Sequence, residues 1–148
     1  MADDVASALS RVVAALPGGG EVRAGQQEMA TAVARAILTR RHLVVQAGTG
    51  TGKSLGYLIP ALLSGEKVVV ATATKALQDQ LATKDLPLLA EHLGVPVEFA
   101  VLKGRSNYLC MQRVRETTGT ADGTLDVEDP GQFTRQLQRI LAWAATST

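Results

Sequence analysis

Residues 43–54 read Leu-Val-Val-Gln-Ala-Gly-Thr-Gly-Thr-Gly-Lys-Ser, and no other stretch of the chain restricts its folding so strongly. Leu43 to Ala47 has the length and apolar character of a short buried strand. Three glycines at alternate positions then let the backbone turn tightly and approach other groups closely. A helix beginning near Lys53 follows, and Pro60 inside its pattern predicts a kink or an early stop. A strand that feeds a helix through a tight loop commits the fold to helices layered on a sheet.

The same alternation continues. Val68 to Ala71 reads as a second strand, with a helix from Thr72 to Lys84, and Pro87 to Leu93 as a short helix closed by Gly94. Val97 to Leu102 reads as a third strand. Before the loop, Val5, Leu9, Val12, Val13 and Leu16 share one helical face, which Pro17-Gly-Gly-Gly20 ends. Gln26 to Leu38 gives a second helix. After Leu102, a basic turn at Lys103-Gly-Arg105 leads through Ser106 to Cys110 and a helix ending near Glu116. Thr117 to Gly123 reads as a loop and Gln132 to Ala145 as a last amphipathic helix. The predicted fold class is α/β, a mostly parallel sheet with helices on both faces.

Composition sets limits. The chain has 148 residues, 46% of them hydrophobic, which is enough for one real core. Aromatics are 3%, so that core is aliphatic. A formal net charge of +1 gives no whole-chain basic footprint for nucleic acid, although a local groove needs none. No apolar run reaches the roughly 18 residues of a membrane span, and Asp3 and Asp4 stand where a secretory signal carries base. Cytoplasm is the expected compartment. Cys110 is the single cysteine, so no internal disulfide forms.

The loop has the composition of an anion cradle. It departs from the strict G-x-x-x-x-G-K-[ST] pattern only in holding Ala47 at the first position. In this reading Ala47, Gly48, Thr49, Gly50, Thr51 and Gly52 wrap a polyphosphate with inward N–H groups, and the helix from Lys53 aims its positive end at the same anion. Lys53 reaches the terminal phosphates and Ser54 ligates Mg²⁺. ATP and Mg²⁺ are the expected cofactors, with Lys53 and Ser54 as the catalytic candidates.

Flanking segments resemble one family, the iron–sulfur group of superfamily 2 helicases that includes DinG and XPD. Arg23-Ala-Gly-Gln26-Gln-Glu-Met29 is similar to its R-x-x-Q-x-x-M adenine-recognition segment, where Gln offers a donor and an acceptor to the base. Leu55 to Leu62, with Pro60, resembles the family's phosphate-loop helix. Val70 to Leu81 is similar to the segment called motif Ia. The resemblance implies that Thr72, Thr74 and Gln80 lie where single-stranded DNA crosses, while the plainer reading makes the threonines a strand end and a helix cap. Leu102 to Cys110 resembles the K-G-R-x-N-Y-x-C stretch that precedes the iron–sulfur insertion. It implies phosphate contacts from Lys103 and Arg105, and Cys110 as first ligand of a [4Fe-4S] cluster in a longer parent. Cubane clusters usually take four thiolates, so none forms within a chain holding one cysteine. Leu141 to Thr148 is similar to the family's W-x-x-x-T-x-T-G-D stretch and stops inside it.

The resemblance implies a partial RecA-like domain in an ATP-dependent DNA helicase. Residues 1–20 form an N-terminal helix and glycine linker without functional signal, 21–104 the first part of motor domain 1, and 105–148 the start of the insertion. The chain reads as truncated. It carries no D-E-x-H box; Glu128-Asp129 is reversed in order and is read as a solvated loop. The expectation is therefore ATP binding without useful hydrolysis by these residues alone, and exposed sheet edges. The parent would be a monomer acting on single-stranded or forked DNA, unwinding 5′-to-3′ in repair or replication. A small P-loop kinase and a non-catalytic nucleotide-binding module are the alternatives.

Overall fold

The computed structural model describes residues 2–48, 50–119 and 130–147. The chain divides into two compact units, Met1–Val101 and Leu102–Thr148.

In the first unit, α1 (Ala2–Ala14) places Val5, Leu9 and Val12 along one stripe, with Ala8 and Val13 beside them, and buries all five. It ends before Pro17; Gly18 and Gly19 take φ of 86° and 73°, which turn the chain away. The second helix, α2 (Ala24–Thr39), buries Gln26, Ala30 and Ala34. Arg40 closes it in the left-handed region at φ 51°. Its N–H donates to the Ile37 carbonyl at 3.1 Å, and the Arg41 N–H to the Ala36 carbonyl at 3.0 Å, a paired closure that usually takes glycine.

Helix α3 (Lys53–Leu63) buries Leu55, Gly56, Leu58, Ile59, Pro60 and Ala61, so it is enclosed on most sides. Against expectation it does not stop at Pro60. Proline removes one N–H from the ladder, and the apolar surroundings hold the last turn in place. The helix expected from Thr72 begins instead at Lys75, because the Thr74 hydroxyl caps it by accepting from the Leu77 N–H at 3.3 Å. α4 (Lys75–Gln80) passes through a wide π turn at Leu81–Asp85 into α5 (Leu86–His92), which Leu93 and Gly94 close.

The core joins these helices. Leu9, Ile59, Leu89 and Leu93 are fully buried together with Val5 and Val12. Each such side chain contributes about 1.5–3 kcal/mol on burial, and all of these side chains lie on the helices or directly after one. The first helix, which carries no functional signal in the sequence, packs on α2, α3 and α5. Its Arg11 donates from Nε to the His92 carbonyl at 3.1 Å and from Nη2 to the Leu93 carbonyl at 2.9 Å, satisfying the open end of α5.

The three expected strands are a correction. Leu43 to Ala47, Val68 to Ala71 and Val97 to Leu102 form no strand. They keep the two-sided character of strands all the same. Val44 is 95% exposed beside Val45 at 40%, and Val69 is 89% exposed beside Val70 at 41%. Leu43 and Val45 line an apolar groove with Met29, Val33 and Ile37 of α2. The first segment thus leans one face on α2, but a ladder also needs a lateral partner, and the three segments do not supply it to one another.

In the second unit, a 3₁₀ turn at Arg105–Asn107 precedes α6 (Met111–Gly119) and α7 (Pro130–Thr146). The helix expected to end near Glu116 thus runs on through the start of the expected loop. The remainder of that loop, and Glu128-Asp129, lie outside the described residues.

Candidate functional site

The loop between residue 47 and α3 is built on left-handed glycines. Gly50 has φ 76° and Gly52 φ 73°, a region that costs other residues about 1–2 kcal/mol. A Cβ placed on Gly48 or Gly50 meets nothing within 4 Å, so the lip of the loop is open. A Cβ on Gly52 would collide with the Gln26 amide, whose Cδ would lie 2.9 Å away.

The carbonyls of the loop are held by donors. Lys53 Nζ donates to the Ala47 carbonyl at 3.1 Å and to the Gly48 carbonyl at 2.5 Å. Thr51 Oγ1 donates to the Gly48 carbonyl at 2.9 Å. Arg23 Nη1 donates to the Gly50 carbonyl. The Gly52 carbonyl accepts twice, from Gln26 Nε2 at 3.0 Å and from the Gly56 N–H at 3.2 Å. Gln26 is the one polar side chain among the described residues that joins the core, at 6% exposure, and this bond is what makes its burial tolerable.

With those carbonyls occupied, the positive groups converge. The first-turn N–H groups of α3 have no acceptor inside the helix, and the helix dipole adds positive potential there. Lys53 sits at the same end, and Ser54, half-buried, follows it. This donor set fits a polyphosphate, and an ammonium beside a serine hydroxyl fits a metal-bound one. Thr49 lies outside the described residues. The structure therefore brings Arg23, Gln26, Ala47, Gly48, Gly50, Thr51, Gly52, Lys53 and Ser54 into one place.

Met29 packs its sulfur toward Gly56, where a Cβ would lie 3.3 Å away, and this close approach sets α2 against α3. Tyr57 was not singled out by the sequence. Burial pushes its phenol pKa up, the Ser54 hydroxyl pulls it down, and the Asp85 carboxylate pushes it up again. The legible signal was its position three residues after Ser54, on the same helix side.

The other candidates make local contacts of their own. Thr72 Oγ1 donates to the Thr74 carbonyl at 3.2 Å, Thr74 caps α4, and Gln80 Nε2 donates to Asp85 Oδ2 at 3.1 Å. In the second unit the Lys103 N–H donates to the Tyr108 hydroxyl at 2.9 Å, and Arg105 is exposed in the 3₁₀ turn. Cys110 is exposed, and among the described residues no group of three or more His, Cys, Asp or Glu is placed to hold a metal ion. No described helix is long and apolar enough to cross a membrane.

Comparison with known proteins points to helicases. The chain is 48% identical over 155 residues to a protein named ATP-dependent helicase DinG from Mycobacterium tuberculosis (strain ATCC 25177 / H37Ra), an alignment covering 94% of this chain and 23% of that one. It is 47% identical over 128 residues to ATP-dependent DNA helicase YoaA of Escherichia coli K12, covering 86% of this chain and 20% of the relative. It is 38% identical over 120 residues to a Bacillus subtilis 168 protein named 3'-5' exonuclease DinG, covering 78% and 13%. The chain thus spans about a quarter or less of the length of these relatives. No solved structure matches it. The profile described as DEAD/DEAH box helicase matches residues 26–140, from the buried glutamine of α2 into α7. The chain belongs to the DEAD/DEAH box helicase family.

Proposed function

We propose that this chain is the ATP-binding N-terminal part of a DinG-like DNA helicase. The observation that carries the proposal is the loop itself: carbonyls tied back by Arg23, Gln26, Thr51 and Lys53, with an ammonium and a helix N-terminus at one end. Amides of residues 48–52 and the first turn of α3 bind the phosphate oxygens. Lys53 supplies the counter-charge, and Ser54 supplies a hydroxyl to Mg²⁺. When bound, Mg²⁺ neutralises charge on the terminal phosphates. Arg23 and Gln26 keep the loop in shape while the start of α2 meets the adenine.

Thr72, Thr74 and Gln80 meet the phosphates of single-stranded DNA, as do Lys103 and Arg105 in the whole protein. The parent is monomeric and unwinds 5′-to-3′. Hydrolysis needs a carboxylate pair and an arginine finger that these 148 residues do not carry, so the chain binds ATP without turning it over usefully. One exposed cysteine does not fit a cluster. A [4Fe-4S] cluster in the whole protein would join Cys110 to thiolates outside this sequence.

The test is nucleotide binding by the whole protein and its Lys53→Ala variant. A charge-assisted contact is worth about 1.5–3 kcal/mol, so affinity should fall roughly 10- to 150-fold. Unchanged affinity removes the assignment of the loop. Single-stranded DNA should also stimulate ATP turnover by the whole protein; no stimulation over a range of salt removes the helicase reading.

A further inference from the structure

Residues 103–108 close on themselves. The Asn107 N–H donates to the Gly104 carbonyl at 2.8 Å, and Asn107 Nδ2 donates to the same carbonyl at 3.0 Å. The Tyr108 N–H donates to the Arg105 carbonyl at 3.2 Å. The Tyr108 hydroxyl accepts from the Lys103 N–H at 2.9 Å, so the far end of the ring is tied to the backbone that opens the turn. A side chain fixed at both ends has little rotamer freedom left to lose when it binds something.

The ring is held, yet it is not in the core. Tyr108 is 52% exposed and is not among the side chains that make up or pack on the aliphatic core. Packing explains a buried tyrosine; it does not explain one fastened at the surface. Cations share the turn with it. Lys103 opens the turn, Arg105 is exposed in its 3₁₀ segment, and α6 begins three residues later with Arg113 exposed in its first turn. Phe99 and Trp143 are exposed too, but Phe99 stands between Glu98 and Ala100, and Trp143 on a helix between two alanines. Of these three rings, only Tyr108 joins a tied ring to flanking cations.

We propose that Tyr108 is a stacking platform for a base of single-stranded nucleic acid, with Lys103 and Arg105 on the adjoining phosphates. The inference rests on the DNA reading given above and adds to it a contact with a base. Cations hold the backbone whether or not a base is attached. An aromatic face adds affinity that requires the base and tolerates any sequence, because every base has a π face. A base inside a duplex is already stacked on its neighbours, so the contact favours a single strand.

The experiment measures binding of the whole protein to a fluorescent oligothymidylate and to an abasic strand of equal length, over a range of salt. Tyr108→Leu keeps an apolar side chain and removes the flat face. It should weaken oligothymidylate binding roughly 5- to 150-fold and leave the abasic strand within about twofold. The slope of log affinity against log salt should stay unchanged in this variant. Arg105→Ala should instead weaken both strands alike and reduce that slope by about 0.7. Tyr108→Trp should keep most of the wild-type affinity, which a role confined to the hydroxyl's bond within the turn would not allow. A Tyr108→Leu variant that binds oligothymidylate like the wild type, or that weakens both strands equally, overturns the platform and leaves the helicase reading standing. A Tyr108→Trp variant as weak as Tyr108→Leu overturns it as well. A wild type that binds neither strand overturns both.

Discussion

Replacing Gly52 by alanine tests the geometry of the loop more sharply than replacing the lysine. Two costs meet there. The left-handed φ of 73° costs an alanine about 1–2 kcal/mol. The new methyl also falls on the Gln26 amide, which is buried and has little room to retreat. Moving it breaks the bond from Nε2 to the Gly52 carbonyl and leaves a desolvated amide, worth about 1–2 kcal/mol more. Gly52→Ala should therefore destabilise by about 2–4 kcal/mol in urea unfolding followed by far-UV circular dichroism. Gly50→Ala, with φ 76° and open space, should cost only the strain, about 1–2 kcal/mol. Gly48→Ala, with open space and no positive φ, should stay within about 0.5 kcal/mol. In a Gln26→Ala background the Gly52 substitution should fall back to the strain alone, because the colliding amide is gone. Equal costs at the three glycines, or no relief in the Gln26→Ala background, would refute the reasoning.

Arg11→Ala removes two charge-assisted bonds to the end of α5; partly exposed, they should be worth about 1–2 kcal/mol in urea unfolding, and Arg11→Lys should recover less than half. Arg40→Gly should stabilise the chain by about 0.5–1 kcal/mol, since it removes a left-handed strain while the closure of α2 uses only backbone groups. Tyr57 gives a pH signature. Its folded pKa lies above its ordinary value of about 10, so the unfolded chain loses the phenolic proton first. Stability should hold below about pH 10 and fall as the pH rises through the raised value, and Tyr57→Phe should flatten that fall in unfolding curves taken across the alkaline range.

The helices were legible because their cause is local. The stripe from Val5 to Val13 is visible in the sequence and is buried as it predicts. The loop was legible for the same reason: glycine at 50 and 52 is the local requirement of a left-handed turn. What the sequence could not show was anything set by distant partners. Arg11 meets residues more than eighty positions away, and nothing near it announces that. The strands fail on the same principle. Val68 to Val70 has the propensity and the alternating exposure of a strand, but a ladder is a property of two segments, and none of the three expected strands pairs with another. Family membership carries the RecA-like P-loop class with it, and the described residues show its helices and its loop without its sheet.

The loop also explains why α2 belongs to the site although it precedes it in sequence. A backbone that offers its N–H groups to an anion must turn its carbonyls elsewhere, and a carbonyl left without a donor would repel the same anion. Four carbonyls, those of residues 47, 48, 50 and 52, are held by side chains. Two of those side chains, Arg23 and Gln26, come from the entry to α2. Lys53 serves both sides of the arrangement, since its ammonium touches loop carbonyls and stands where a phosphate would be neutralised. Glycine supplies the turn, but donors outside the glycine stretch fix which way its dipoles point. An isolated copy of residues 47–54 would have the flexibility of the loop without that orientation, and orientation is what makes a flexible backbone a site.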